Sequence, residues 1–212
     1  NSLKLLDKRG PDNNDIYISP NNLIGHTRLK VLDISNKSNQ PYKKVEGKIL
    51  VYNGEIYNFR ELFKSFIQDN FVNNIDQFSD TQVLYELLLT KKEEAIDLLD
   101  GMFAFAWHDE IEDSILIVRD LLGQKPLYYF HNEYETIYSS ELSSISNIKN
   151  DSNLSLKNFS QYLKNGYYPG ENTPFQNIFK LLPGYYLKIE KGNLIKKQYW
   201  KSKPGEYIQS YV

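Results

Sequence analysis

Five residues, Arg28, Asn53, Gly54, Glu55 and Asp80, have the chemistry to hold a small zwitterion and to stabilise an oxygen that gains negative charge. An arginine fork grips a carboxylate through two parallel hydrogen bonds, and a carboxylate pair such as Glu55 and Asp80 holds an ammonium group. Together they suit the two charged ends of a free α-amino acid. The Asn53 side-chain amide and the Gly54 N–H are donors of the kind that face a developing oxyanion, where each is worth roughly 3 kcal/mol in acyl transfer. The set lacks a nucleophile.

These residues need elements that bring them together. Ile49-Leu50-Val51-Tyr52 is an apolar run suited to a buried strand, Lys48 to Tyr52, that delivers Asn53-Gly54-Glu55 at its end. Asn-Gly is also the preferred dipeptide of a two-residue hairpin turn, so a plain turn is the competing reading. Arg28 closes an alternating run, Leu23 to Leu29, that pairs with Asp15 to Ser19 around Pro20-Asn21-Asn22 as an antiparallel hairpin. Ser79-Asp80 stands before the helical stripe Val83, Leu84, Leu87 and Leu88, and either residue can cap that helix.

The remaining pattern fills in a mixed fold. Asn1 to Lys8 reads as the end of a helix, stopped at Arg9-Gly10-Pro11-Asp12, where Arg9 and Asp12 can brace the turn. Helices are expected over Arg60 to Gln68, Ala95 to Leu99, Glu141 to Ile148 and Leu156 to Lys164. Strands are expected over Met102 to His108, Ile115 to Val118, Leu127 to Phe130, Thr136 to Ser139, Tyr185 to Glu190 and Leu194 to Tyr199. Arg119 and Asp120 read as a pair holding the loop that ends at Lys125-Pro126, with Lys125 in a solvent-facing turn. Hairpin-length connections make the sheets largely antiparallel, with helices on their outer faces.

Composition narrows the partners. The chain has 212 residues, 41% hydrophobic, enough for one substantial core. Lysine plus arginine number 25 against 27 acids, a net of −2, so no basic excess points to nucleic acid or anionic lipid. No apolar run reaches membrane-spanning length and no leader pattern is present, so a soluble, cytoplasmic protein is the expectation. There is no cysteine, and His26, His108 and His131 are too scattered to suggest a metal site.

The chain resembles the glutamine amidotransferase domain of the asparagine synthetase family. The resemblance runs through Arg9-Gly10-Pro11-Asp12, Gly25-His26-Thr27-Arg28-Leu29, Val51 to Asn58, Ser79-Asp80-Thr81, Leu99-Asp100-Gly101-Met102-Phe103-Ala104-Phe105-Ala106, Arg119-Asp120, Lys125-Pro126-Leu127-Tyr128-Tyr129, Ser140-Glu141 and Leu182-Pro183-Gly184. It implies an α+β fold, a four-layer αββα sandwich of two antiparallel sheets between helices, the N-terminal-nucleophile hydrolase fold. It further implies that Arg28 binds the α-carboxylate of glutamine, that Glu55 and Asp80 bind its α-ammonium, and that Asn53 with Gly54 forms the oxyanion hole. The reaction implied is hydrolysis of glutamine to glutamate and ammonia. No cofactor is expected in this domain. ATP and magnesium are expected for a C-terminal synthetase domain that would receive the ammonia, and the resemblance admits a homodimer.

Two positions depart from the family pattern. The family's nucleophile is the thiol of an N-terminal cysteine activated by its own amine, whereas this chain opens Asn1-Ser2. Ser2 is a poor substitute, so the expectation is that the family's first segment is missing and that the chain as given is inactive. Phe78 stands where the family has glycine, and its ring is expected to narrow the pocket or shift the Asp80 backbone. Residues 1–200 then form the amidotransferase domain and residues 201–212 begin a linker. The alternative is a domain that keeps the fold as a scaffold or amino-acid sensor, as in relatives of the beta-lactam synthetase kind.

Overall fold

In a computed structural model, residues 2–30, 35–67, 78–149 and 153–202 are described. The end of the expected helix at Gln68 and the tail from Lys203 lie outside them. The elements run β1 (Asn13–Ile18), β2 (Leu23–Arg28), β3 (Lys48–Ile56), α1 (Phe59–Phe66), α2 (Asp80–Lys91), β4 (Gly101–Asp109) and β5 (Ser114–Arg119). They continue with β6 (Tyr128–His131), β7 (Thr136–Ser139), α3 (Leu142–Lys149), α4 (Leu156–Asn165), β8 (Phe179–Lys180), β9 (Tyr185–Glu190) and β10 (Asn193–Gln198).

The central sheet has the order β10-β9-β5-β4-β3, every neighbour antiparallel, so β3 is an edge. Strand alternation gives each side of β3 a different task. Leu50, Tyr52 and Ile56 face a core shared with Leu62 and Phe63 of α1 and Val83, Leu84, Leu87 and Leu88 of α2. Ile49 and Val51 face a second core with Ile24 of β2, Tyr129 of β6 and Leu187 of β9. A third cluster joins Phe130 of β6 to Ile145 of α3 and Ile178. Helix, sheet, sheet and helix follow in that order, the αββα arrangement. The second sheet layer is in two pieces, the β1-β2 ribbon and the order β7-β6-β8, which share the interlayer core without a ladder between them among the described residues.

Several local expectations change. Asn53-Gly54 is not a turn: Asn53 pairs with Ala104 and Gly54 with Phe103, so β3 runs through the dipeptide to Ile56. A nine-residue partner strand overrides the local turn preference. Ser2–Leu6 and Lys92–Leu98 are 3-10 segments rather than α-helix. The two-residue strand Phe179–Lys180 carries too short a pattern to be read in advance. No helix among the described residues is long and apolar enough to cross a membrane.

Candidate active site

The elements meet at one end of the sandwich, around a cavity of about 460 Å3. Arg28, Asn53, Gly54, Glu55 and Asp80 all line it, with His26, Ser38, Gln40, Tyr52, Lys125 and Tyr138 among the other walls. The five residues singled out in the sequence are thus brought together by three separate elements.

Arg28 arrives from β2, where the alternation that buries Ile24 also turns His26 and Arg28 inward. The residue is 7% exposed, and its Nη1 donates to Ser35 O and to Asn39 Oδ1, both at 2.7 Å. These bonds tie the 35–39 loop to the cavity wall. The turn at Arg9-Gly10-Pro11 lies directly against β2. A Cβ on Gly10 would stand 2.3 Å from the Thr27 carbonyl carbon, so only glycine allows this approach. Arg9 and Asp12 brace the turn through other partners than each other: Arg9 Nη1 donates to Glu141 at 2.7 Å, and Asp12 accepts from Lys30 N at 2.8 Å.

Asp80 is the first residue of α2. Ser79 is the cap, its Oγ accepting from Gln82 N while Gln82 Oε1 accepts from Ser79 N, a capping box. The Asp80 carboxylate is therefore released from capping and lies at the positive end of the helix dipole. It is 6% exposed. Its Oδ2 accepts from Tyr52 Oη at 2.7 Å and Ile56 N at 3.3 Å, and its Oδ1 from Thr81 N at 2.8 Å. Burial, then the Asp80 charge, pushes the Tyr52 phenol well above its ordinary pKa, so it remains a donor. Glu55 lines the same cavity, half-buried, and its carboxylate meets no hydrogen-bond donor or cation among the described residues. Two carboxylates in one polar cavity, neither paired with a cation among the described residues, favour a cationic ligand.

Asn53 and Gly54 follow from the edge position of β3. Leu50 exchanges both backbone bonds with Tyr42, so Leu50 turns its N–H and C=O away from β4. In an antiparallel ladder the residues of that parity do the same. Tyr52 is covered on that side by the Gln40 side chain, and Ile56 N by Asp80. Gly54, between them, turns its N–H outward into the cavity. The Asn53 side-chain amide lines the same space and makes no hydrogen bond among the described residues. Gly54 is also required sterically, because a Cβ there would stand 2.2 Å from Met102 O and 2.7 Å from Phe103 Cα.

Phe78 does not narrow the pocket. It is absent from the cavity lining and packs on Phe63, ring centroids 4.8 Å apart, in the core between helix and sheet. The ring finds apolar surface behind the strand, which leaves Ser79 and Asp80 in register with the cavity.

Arg119 and Asp120 hold their loop without pairing with each other. Arg119 donates to three carbonyls, Lys125 O at 2.8 Å, Leu181 O at 2.6 Å and Gly123 O at 2.7 Å. Asp120 accepts from Phe103, Leu122, Gln124 and Lys125 amides. Backbone groups outcompete the neighbouring charge because each buried amide and carbonyl needs a partner. The loop fixes Lys125 at both its N–H and its C=O, and Lys125 lines the cavity instead of standing in a solvent-facing turn. Sequence reading missed Tyr52, Gln40 and His26 as site residues. For Gln40, in a polar loop, no sequence signal exists; His26 and Tyr52 sit next to residues that were singled out. Among the described residues no group of three His, Asp or Glu side chains could hold a metal.

The sequence of this chain matches the family described as "Glutamine amidotransferase domain" over residues 1–200. It is 32% identical over 222 aligned residues to the putative asparagine synthetase [glutamine-hydrolyzing] 2 of Methanocaldococcus jannaschii, covering 93% of this chain and 42% of that protein. It is 31% identical to asparagine synthetase [glutamine-hydrolyzing] 3 of Bacillus subtilis, covering 97% of this chain and 34% of the relative. Asparagine synthetase B of Escherichia coli is 36% identical over 67% of this chain and 25% of its own length. The chain thus spans less than half of each of these relatives. The fold is shared with a glutamine phosphoribosylpyrophosphate amidotransferase from B. subtilis, with a TM-score of 0.59 at 17% identity, covering 85% of this chain and 35% of that one. With an αββα sandwich, a polar cavity at its end and this match along nearly all its length, the chain belongs to the glutamine amidotransferase domain family.

Proposed function

We propose that this chain is the glutaminase half of a glutamine-dependent asparagine synthetase or a related amide-forming ligase, hydrolysing glutamine to glutamate and ammonia. Arg28 takes the α-carboxylate of glutamine, Glu55 and Asp80 take its α-ammonium, and Asn53 with Gly54 stabilises the oxyanion that forms on the side-chain carboxamide. The ammonia passes to a carboxylate activated by a C-terminal synthetase domain, which uses ATP and magnesium. These 212 residues contain no cysteine. A thiol nucleophile therefore has to come from outside them, and the chain alone is inactive.

The observation that carries this reading is the placement in one cavity of a cation, two carboxylates and two uncovered N–H donors. The cation and carboxylates match the zwitterionic end of an amino acid, and the donors match charge that exists only during acyl transfer. The names of the relatives, which specify glutamine hydrolysis, support the same substrate.

The test is glutamate release from L-glutamine by the full-length protein carrying this chain. Arg28→Ala and Asp80→Ala each remove a charged contact to substrate, and each should raise KM at least about tenfold. Unchanged activity in both variants would refute the assignment. Glutamine binding by calorimetry without any glutamate release, in a protein shown to carry an N-terminal cysteine, would favour the sensor or scaffold reading.

A further inference from the structure

The backbone of Tyr52 is held from outside the sheet by two side chains in place of a strand. Gln40 Oε1 accepts from Tyr52 N at 2.6 Å and Gln40 Nε2 donates to Tyr52 O at 3.0 Å, so one primary amide copies the donor and acceptor of a neighbouring strand residue. Gln40 is 5% exposed. His26 Nε2 donates to the same carbonyl at 3.1 Å. A carbonyl oxygen only accepts, which places the ring proton on Nε2 and leaves Nδ1 unprotonated, buried and without a partner among the described residues. Burial lowers the pKa of His26 to about 4, so the ring is neutral and this tautomer persists at neutral pH.

The outer edge of β3 is therefore covered in steps: Leu50 by the Tyr42 backbone, Tyr52 by Gln40 and His26, Ile56 by the Asp80 carboxylate. A strand extending past Tyr42 would also cover Gly54. A side chain that reaches only Tyr52 does not. The Tyr52 carbonyl belongs to the peptide unit that ends in Asn53 N, so holding its plane orients the backbone at Asn53, from which the side-chain amide projects; on the other side Asn53 pairs with Ala104 of β4, and the two restraints together set the direction of the next N–H, that of Gly54.

We infer that Gln40 and His26 are positioning residues for glutamine hydrolysis, clamping the Tyr52–Asn53 peptide so that the Asn53 amide and the Gly54 N–H stay aimed at the developing oxyanion. The inference rests on the glutaminase reading above. Neither residue is needed for the charged ends of the substrate, which fall to Arg28, Glu55 and Asp80. Loosening the clamp therefore weakens transition-state contacts and leaves ground-state binding in place.

The experiment compares Gln40→Ala, His26→Ala and His26→Gln in the full-length protein, reading kcat and KM for glutamate release. Gln40→Ala and His26→Ala should each lower kcat about tenfold or more, with KM changed by less than about threefold. His26→Gln keeps a donor within reach of the Tyr52 carbonyl and should restore most of kcat. In 15N-labelled protein, the Gly54 amide resonance should move in the two alanine variants and return in His26→Gln. An unchanged kcat in both alanine variants, or a glutamine variant no better than alanine, would overturn the clamp while leaving the glutaminase reading standing. If the unsubstituted protein releases no glutamate, the glutaminase reading itself fails, and the clamp's role in hydrolysis falls with it.

Discussion

The Tyr52 phenol donates to Asp80 Oδ2 at 2.7 Å from the helix side of β3, while its strand neighbours Asn53 and Glu55 face the opposite layer. One strand thus serves the site from both faces. The bond also links the helix N-terminus to the sheet edge, so the distance between Asp80 and Gly54 is set by packing rather than by a loop.

Tyr52→Phe should separate this support from substrate contact. The variant keeps the ring in its core and leaves the buried carboxylate one donor short, a loss of about 2 kcal/mol. Urea unfolding should show a lower midpoint at unchanged slope, and glutamine affinity should fall several-fold. Wild-type stability in this variant would mean that the phenol contributes nothing to holding Asp80.

Gly54→Ala should be far more damaging than its size suggests. The new Cβ meets Met102 O and the Phe103 backbone, which belong to β4 and cannot rotate away. Separating the strands costs at least about 3 kcal/mol. Gly166→Ala is the control: its φ is +75° and a Cβ there meets nothing within 4 Å, so only backbone strain of about 1 kcal/mol is added. Thermal unfolding of the two variants should rank them clearly, and equal shifts would argue against the close β3–β4 approach.

His108 sets a pH dependence of stability. It is 3% exposed, its Nε2 lies 2.7 Å from Tyr138 Oη, and burial lowers its pKa from 6.5 to about 4. Between those values the unfolded chain binds a proton that the folded protein refuses, so stability is full above about pH 6.5 and is lost as the pH falls toward about 4. The loss amounts to as much as about 3 kcal/mol. His26, lowered to about 4 by the same cause, acts in the same window and direction. His108→Gln removes the titration while keeping a hydrogen-bonding end near Tyr138. Its urea midpoint should change less between pH 7 and pH 4.5 than that of the parent, and an identical slope would rule His108 out as a source.

Arg119→Lys should show that the guanidinium acts as a structural fork. Lysine can satisfy one or two of the three carbonyls that Arg119 holds, leaving at least one buried acceptor unpaired at a cost of about 2 kcal/mol. The loop that fixes Lys125 should loosen, seen as faster amide exchange at Gln124 and Lys125. Protection unchanged at these two amides would assign the loop's order to Asp120 alone.

The sequence by itself determined the components. The apolar run Ile49 to Tyr52, the helical stripe from Val83 to Leu88 and the Ser79-Asp80 start are local patterns, and the fold reproduces them as a strand buried on both faces and a capped helix. The types of the site residues were equally legible, since a guanidinium, two carboxylates and an Asn-Gly pair carry their chemistry with them. What tertiary structure decided was which backbone groups stay uncovered. Asn53-Gly54 has the composition of a turn and became a strand because β4 pairs with it across nine residues. Phe78, where the resembled family has glycine, reads as a ring that narrows the pocket, yet it turns to Phe63, since its burial depends on α1, a distant segment. Gln40 could not be singled out, because an amide in a polar loop gains meaning only when an edge strand lies beside it. Arg119 and Asp120, adjacent in sequence, found separate backbone partners for the same reason: hydrogen-bond demand belongs to the folded chain, and no local window contains it.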